Sequence, residues 1–292
     1  MGQIVGAAIT PHHPAIVRSE ADRLRLGDGH DTDLVPGFAR IRKKIDALDA
    51  DTFVLFDTHW ISTSMNLVAG QEHYKGVYTS DELPHVLSSV PYDYPGAPEL
   101  AARVQDIAKQ REFPAFNATD PHMANHYGTL NILSHLRHEE KVMSVSACQN
   151  GSLSNYLEMG AIIGQAIADI DCRVVMLASG ALSHAFTRID ETPRNPNFFS
   201  SENIFSDQNM KLDHEVIGLF GAGRHDQVLD RYCEIQAAKY EGWGSHYFQM
   251  VGALGGGNCR LLGVPMSEYE NARGTGNILI WFDVPSAEQQ AA

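Results

Sequence analysis

Three short apolar runs, each closed by histidine, constrain this chain more than any other feature. Ile4-Val5-Gly6-Ala7-Ala8-Ile9-Thr10 stops at Pro11, which cannot continue a ladder, and His12 and His13 follow. Thr52 to Thr58 is closed by His59-Trp60. Val174 to Ala178 leads through Ser179-Gly180-Ala181-Leu182-Ser183 to His184. Runs this short and this continuously apolar read as strands buried on both faces. If they are parallel neighbours, their imidazoles gather at one edge, where open α/β sheets hold ligands. The expected fold is therefore α/β: a central mixed, largely parallel twisted sheet flanked by helices, with the active site at the strand carboxyl ends.

Periodicity supplies the rest. Helical spacing predicts helices over 38–48, 98–110, 130–138, 154–170, 207–220, 225–232 and 245–254. Further strands are predicted at 62–68, beside the second apolar run, at 141–147 and at 276–284. Segments 22–33, 121–129 and 187–201 read as loops, and 72–94, with its prolines and tyrosines, as a long irregular excursion. The Ala/Gln tail is expected to fray. With no internal repeat and no linker, residues 1–292 are expected to form a single domain.

Charge and cysteines exclude several classes. A net charge of −14, with no basic cluster beyond Arg40 to Lys44, argues against nucleic acid. No apolar stretch reaches membrane-spanning length and no leader pattern opens the chain, so no membrane association and a cytoplasmic location are expected. Cys148, Cys172, Cys233 and Cys259 stand far apart without a C-x-x-C, which disfavours thiolate metal sites and disulfides. Fourteen histidines raise the prospect of metal chemistry.

His12 and His13 are adjacent in extended chain and point opposite ways, so one of the two faces a ligand. His59 follows Asp57, a carboxylate able to accept the ring's other N–H or to hold a neighbouring loop. Glu241, in a Gly-flanked turn before an apolar helix, is the candidate third ligand; on position alone, a helix-dipole role is the stronger reading. Two histidines and one carboxylate leave open coordination positions, the pattern of non-haem Fe(II) oxygenases. A closed zinc site wants four protein ligands. His184 is either an acid/base or a structural loop histidine. His126 and Tyr127 can bond substrate or pin their own loop. His246 lies shortly after Glu241. Arg273, in Arg273-Gly274-Thr275-Gly276, can pair a carboxylate. Ser183-His184 lacks the G-x-S-x-G elbow of a hydrolase.

Taken together, these segments resemble the class III extradiol catechol dioxygenases, the superfamily of protocatechuate 4,5-dioxygenase. The carriers are Ile9-Thr10-Pro11-His12-His13-Pro14, Phe56-Asp57-Thr58-His59-Trp60, the stretch from Gly76 to His85, Tyr127-Gly128-Thr129-Leu130, Leu177 to His184, Tyr240-Glu241-Gly242 and Gly274-Thr275-Gly276. The resemblance covers nearly the whole chain and looks closest to the 3,4-dihydroxyphenylacetate 2,3-dioxygenase lineage. It implies Fe(2+) held by His12, His59 and Glu241, with the histidine two residues before a proline selecting His12 over His13. It implies His184 as acid/base, taking a phenolic proton and later assisting O–O cleavage, and His126 as a further catalytic histidine of the protocatechuate-type branch. His13, Tyr127, His246 and Arg273 are then candidate substrate contacts. The expected partners are a small aromatic substrate, a catecholic acid, and O2, and the expected assembly is a homo-oligomer, dimer or tetramer. An aminophenol or hydroxypyridone ring-opener with the same iron, a non-catalytic partner subunit of the fold, and a zinc hydrolase are the rivals.

Overall fold

A computed structural model describes residues 2–285 of the protein. In chain order the elements are β1 (Gln3–Ile9), α1 (Glu20–Leu26), α2 (Leu34–Asp46), β2 (Thr52–Ser62), β3 (Asn66–Ala69), β4 (His73–Tyr78) and β5 (Val90–Pro95). Then come α3 (Pro98–Gln110), β6 (Ala115–Ala118), α4 (Tyr127–Leu136), β7 (Lys141–Cys148), α5 (Leu153–Asp169) and β8 (Arg173–Ser179). The last part holds α6 (Asp207–Gly221), α7 (His225–Asp230), α8 (Tyr232–Ala237), α9 (Ser245–Ala253), β9 (Gly263–Pro265), β10 (Glu270–Ala272), β11 (Thr275–Asn277) and β12 (Ile280–Asp283).

Among the described residues, eight strands form one sheet in the order β6-β3-β7-β2-β8-β1-β12-β9. The histidine-bearing strands are its parallel centre: β2 pairs with β8 and β8 with β1, all parallel. Antiparallel pairing of β1 with β12 and of β3 with β7 makes the sheet mixed. The continuous apolar runs are explained by two helical covers. Along β2, Val54 and Phe56 enter the core beneath α3, α5 and α9, while Phe53 and Leu55 enter the core beneath α2 and α4. Alternate residues of a strand face opposite sides, so both faces must be apolar when both are covered. α9 lies directly on α5: a Cβ on Gly160 would collide with the Gln249 carbonyl oxygen, and one on Gly252 with that of Leu157. That close approach fixes α9, the helix that follows Glu241.

Four expectations need correction. Segment 22–33, read as a loop, begins inside α1, because Ser19 Oγ accepts the Asp22 amide at 3.2 Å and caps the helix, while Arg23 pairs Asp31 at 2.7 Å. The excursion at 72–94 is a two-stranded ribbon, β4 with β5, in which Tyr74 and Tyr94 stand opposite each other and stack at 5.0 Å. The strand expected at 62–68 is β3, but it pairs with β7 and β6 and not with β2. The strand expected at 276–284 is split: β11 forms a hairpin with β10, and β12 joins the sheet. The Ala/Gln tail lies outside the described residues.

Candidate metal centre

The carboxyl ends of β1, β2 and β8 meet at one edge, and each strand delivers its histidine differently. β1 ends at Ile9 and Pro11 turns the chain. His12 is then buried at 4 % exposure, and His13 opens a short helical turn. In β2 the pairing with β7 advances from Asp57 opposite Ser146 to Ile61 opposite Ala147, so Thr58, His59 and Trp60 are extra residues on one strand. This bulge pushes His59 out of the ladder, as bulges beside functional sites do. The chain was expected to leave the strand at His59; it re-enters through Ile61 and Ser62 instead.

Glu241 and His184 arrive together. The Ser183 and Tyr240 segments pair in antiparallel fashion, with His184 N donating to Lys239 O at 3.0 Å and Glu241 N to Leu182 O at 3.1 Å. Beneath them the buried Asp213 of α6 accepts from Ser183 N at 3.1 Å, Ser183 Oγ at 2.6 Å and the Tyr269 hydroxyl at 2.6 Å. After Glu241 the chain takes left-handed backbone at Gly242, Trp243 and Gly244, with φ of 53, 61 and 74°. Such a turn costs little at glycine but is strained at Trp243. It reverses the chain into α9 and leaves the Glu241 carboxylate buried.

The groups so assembled match a metal site. One ligand atom from each of His12, His59 and Glu241 lies within 4.8 Å of the others. Glu241 Oε1 is 2.9 Å from His12 Nε2 and 3.4 Å from His59 Nε2. Two ligands about 2.1 Å from one ion and at right angles to it stand about 3 Å apart. His12 supplies the sharper test. Ser179 Oγ donates to the Gly128 carbonyl at 2.6 Å and stands 2.9 Å from His12 Nδ1. Its one proton being spent, it accepts the Nδ1–H, and the lone pair of Nε2 faces the carboxylate. Two acceptors at 2.9 Å need a cation or a proton between them. Glu241 is also held by Ala181 N at 2.6 Å and by Thr58 Oγ1 at 2.9 Å, whose one proton is shared with the Ser179 carbonyl at 3.0 Å. Burial alone would raise its pKa; the His12, His184 and His59 imidazoles gathered around it hold it well below the usual carboxylate range. The donor set of two imidazoles and one carboxylate, with open positions, fits a ferrous ion.

A cavity of about 500 Å³ opens onto these three residues. His184 lines it, with Nε2 3.9 Å from Glu241 Oε1 and its pKa lowered by burial, so that the ring is neutral near pH 7. Tyr127 lines it with its ring 3.9 Å from that of His59 and its hydroxyl donating to Glu82 Oε2 at 3.3 Å. His13 and Arg273 line it too. His13 Nδ1 accepts the Ala15 amide at 3.2 Å, and burial, with His12 and Arg18 beside it, pushes its pKa down to about 3. Arg273 occupies the two-residue turn between β10 and β11, at φ 57°.

Two expected contacts lie elsewhere. His126 stands at the N-terminus of α4 without a side-chain capping bond and stacks on Trp60 in a smaller recess behind Asp57, outside the lining of the large cavity. His246 is buried on α9 against Gly180, also outside that lining, and burial pushes its pKa to about 4. Asp57 does not reach the His59 ring; it accepts the His59 amide at 2.8 Å and the Thr129 hydroxyl at 2.7 Å, holding the loop. His59 Nδ1 instead faces Glu82 Oε2 at 3.9 Å. Ser179, Thr58, Glu82, Arg18 and Asp213 escaped the sequence reading. Ser179 and Thr58, hydroxyls ending apolar runs, left a signal there.

A family model described as the catalytic LigB subunit of aromatic ring-opening dioxygenase matches residues 6–273. The chain is 30% identical over 259 residues to a 3,4-dihydroxyphenylacetate 2,3-dioxygenase of Escherichia coli, covering 87% of this chain and 91% of that one. It is 24% identical to a 2-aminophenol 1,6-dioxygenase beta subunit of Pseudomonas sp, covering 98% and 96%. Among solved structures, the uncharacterized protein JW3007 of Escherichia coli K12 superposes with a TM-score of 0.61 over 95% of this chain and 99% of that one, at 13% identity, a likeness of fold.

Proposed function

The chain belongs to the family of the catalytic LigB subunit of aromatic ring-opening dioxygenases, which are oxidoreductases, and on that premise we propose that it opens a catecholic acid with O2 at a ferrous ion held by His12, His59 and Glu241. The substrate we propose is 3,4-dihydroxyphenylacetate or a related acid, cut beside the diol. The observation that carries this reading is the pair of lone-pair atoms, His12 Nε2 and Glu241 Oε1, held 2.9 Å apart by Ser179, Thr58 and Ala181. Fe(II) bound there would gather diol and dioxygen at one centre and pass electron density between them.

The protein's own groups do the rest. His184, neutral through burial, takes a phenolic proton at Nε2, the nitrogen nearest the Glu241 carboxylate. Tyr127 and His13 wall the ring, and Arg273 pairs its acidic substituent. His126 supports the loop through Trp60, and His246 backs Gly180. Cavity walls that fix the ring against the triad convert a three-component encounter into a local one. We further propose one catalytic domain over residues 1–292, acting as a homo-oligomer in the cytoplasm; no helix among the described residues is long and apolar enough to cross a membrane.

The similarity to a 2-aminophenol dioxygenase subunit favours one second reading, an aminophenol as substrate. An oxygen electrode decides. Protein loaded anaerobically with Fe(II) is offered 3,4-dihydroxyphenylacetate, protocatechuate and 2-aminophenol, and products are read by their ultraviolet spectra. Oxygen uptake with the catecholic acids is expected. Uptake with the aminophenol alone would overturn the substrate, and no uptake with any of them would overturn the function.

A further inference from the structure

The protein has 15 arginines. Ten are in ion pairs with carboxylates: Arg23, Arg25, Arg40, Arg42, Arg103, Arg111, Arg188, Arg194, Arg224 and Arg231. Arg137, Arg173 and Arg260 bond backbone carbonyls. Arg18 and Arg273 alone have no side-chain partner among the described residues, and both line the cavity that opens onto the metal triad. In a chain of net charge −14, carboxylates to pair with are plentiful. Two unpaired arginines on the lining of one cavity, of which Arg273 also borders a smaller neighbouring recess, are therefore a positional feature.

We infer that Arg18 and Arg273 together form an anion subsite that receives a carboxylate on the ring's side chain and excludes neutral rings. This rests on the reading that the cavity takes a substituted catechol. Charge supports it. Apart from its histidines, the cavity's charged residues are Arg18, Arg273, Glu82 and Glu241, which sum to zero. A divalent ion on the triad brings the sum to +2. A ring acid bound through one deprotonated hydroxyl carries −2 and neutralises it; an aminophenol does not. The two residues come from opposite parts of the chain. Arg18 ends the short turn that follows His12 and His13, and Arg273 is held in the β10–β11 turn by its left-handed backbone. Guanidinium grips carboxylate through two parallel N–H bonds, a geometry lysine cannot reproduce.

The test does not need iron. Phenylacetate and phenylacetamide differ in charge and little in shape, and neither can be ring-opened. Their binding to metal-free protein is measured by calorimetry for wild type, Arg18→Gln, Arg273→Gln and the double variant, with a melting curve for each. Wild type should prefer the acid by about 10- to 100-fold, the double variant should lose that preference, and each single variant should lose part of it. Equal or undetectable binding of acid and amide by wild type, or a preference that survives in the folded double variant, would overturn the inference. If the preference is lost as expected yet iron-loaded wild type opens no catechol, the subsite stands and the proposed reaction fails.

Discussion

Replacing Ser179 by alanine should weaken iron binding more than it weakens the fold. The serine hydroxyl lies 2.6 Å from the Gly128 carbonyl and 2.9 Å from His12 Nδ1, with all three groups buried. Its proton serves the carbonyl, so it can only accept from the ring, which sets the tautomer that presents Nε2 to an ion. In the variant, a metal-bound His12 must keep its Nδ1–H in a dry site with no acceptor, a cost of about 1–3 kcal/mol. The metal-free ring escapes that cost by moving its proton to Nε2, where Glu241 Oε1 accepts it at 2.9 Å. The loss therefore falls on affinity, a factor of about 5 to 150, a range that contains the effect usual for outer partners of metal-binding histidines. Anaerobic competition with a ferrous chelator measures the affinity, and urea unfolding of the metal-free protein measures the fold. An unchanged iron affinity, or a loss of metal-free stability as large as the loss of affinity, would refute the reasoning.

Three further outcomes are expected. His12→Ala, His59→Ala and Glu241→Ala should each purify without iron, while His184→Ala should keep iron and lose turnover by about 10²- to 10⁴-fold; metal analysis beside oxygen uptake checks both, and full iron occupancy in the three ligand variants defeats the assignment. Burial pushes the Glu270 carboxyl from 4.5 up to about 7, against bonds from Thr32 at 2.5 Å and Asp33 N at 2.6 Å. The folded protein thus holds this proton more tightly than the unfolded chain, so the stability it contributes is full below about pH 4.5 and lost as pH rises to about 7. Unfolding curves across that window should show wild type losing up to about 3 kcal/mol relative to Glu270→Gln, and parallel pH curves would contradict this. Asp213→Asn should lower the urea midpoint by the equivalent of about 2 kcal/mol, because an amide oxygen placed to accept from the Ser183 and Tyr269 hydroxyls puts its NH2 against the Ser183 N–H, where the carboxylate offers a second oxygen; it should also reduce turnover through Ser183, the neighbour of His184, and an unchanged kcat would show that this anchoring is dispensable.

Much of the architecture was legible because it rests on local rules. The strands ending at Ile9, near His59 and at Ser179 announced themselves by continuous apolar runs, and α3 was bounded by Pro98 and Gln110 as expected. What failed was also physical. The ribbon β4–β5 hid because its prolines sit on an exposed two-stranded edge, where a missing N–H is tolerated. α1 hid because it is short and mostly polar, and it stands on a serine cap and the Arg23–Asp31 pair. For the site, the order of residue types marked His12, His59, His184 and Glu241 as candidates, but position alone gave Glu241 a helix-dipole role. His126 and His246 carried the same kind of signal, yet their rings lie outside the cavity.

By itself the sequence determined the central strands, the longer helices and the supply of imidazole at strand ends, since hydrophobic period and proline stops act within a few residues. Tertiary structure decided which groups face one another. The three-residue bulge at Thr58-His59-Trp60, the pairing of Ser183 with Tyr240, and the hydroxyl of Ser179 behind His12 all depend on contacts between segments tens to more than a hundred residues apart. Periodicity cannot encode such contacts, because they exist only once the sheet has closed and the buried polar groups must find partners.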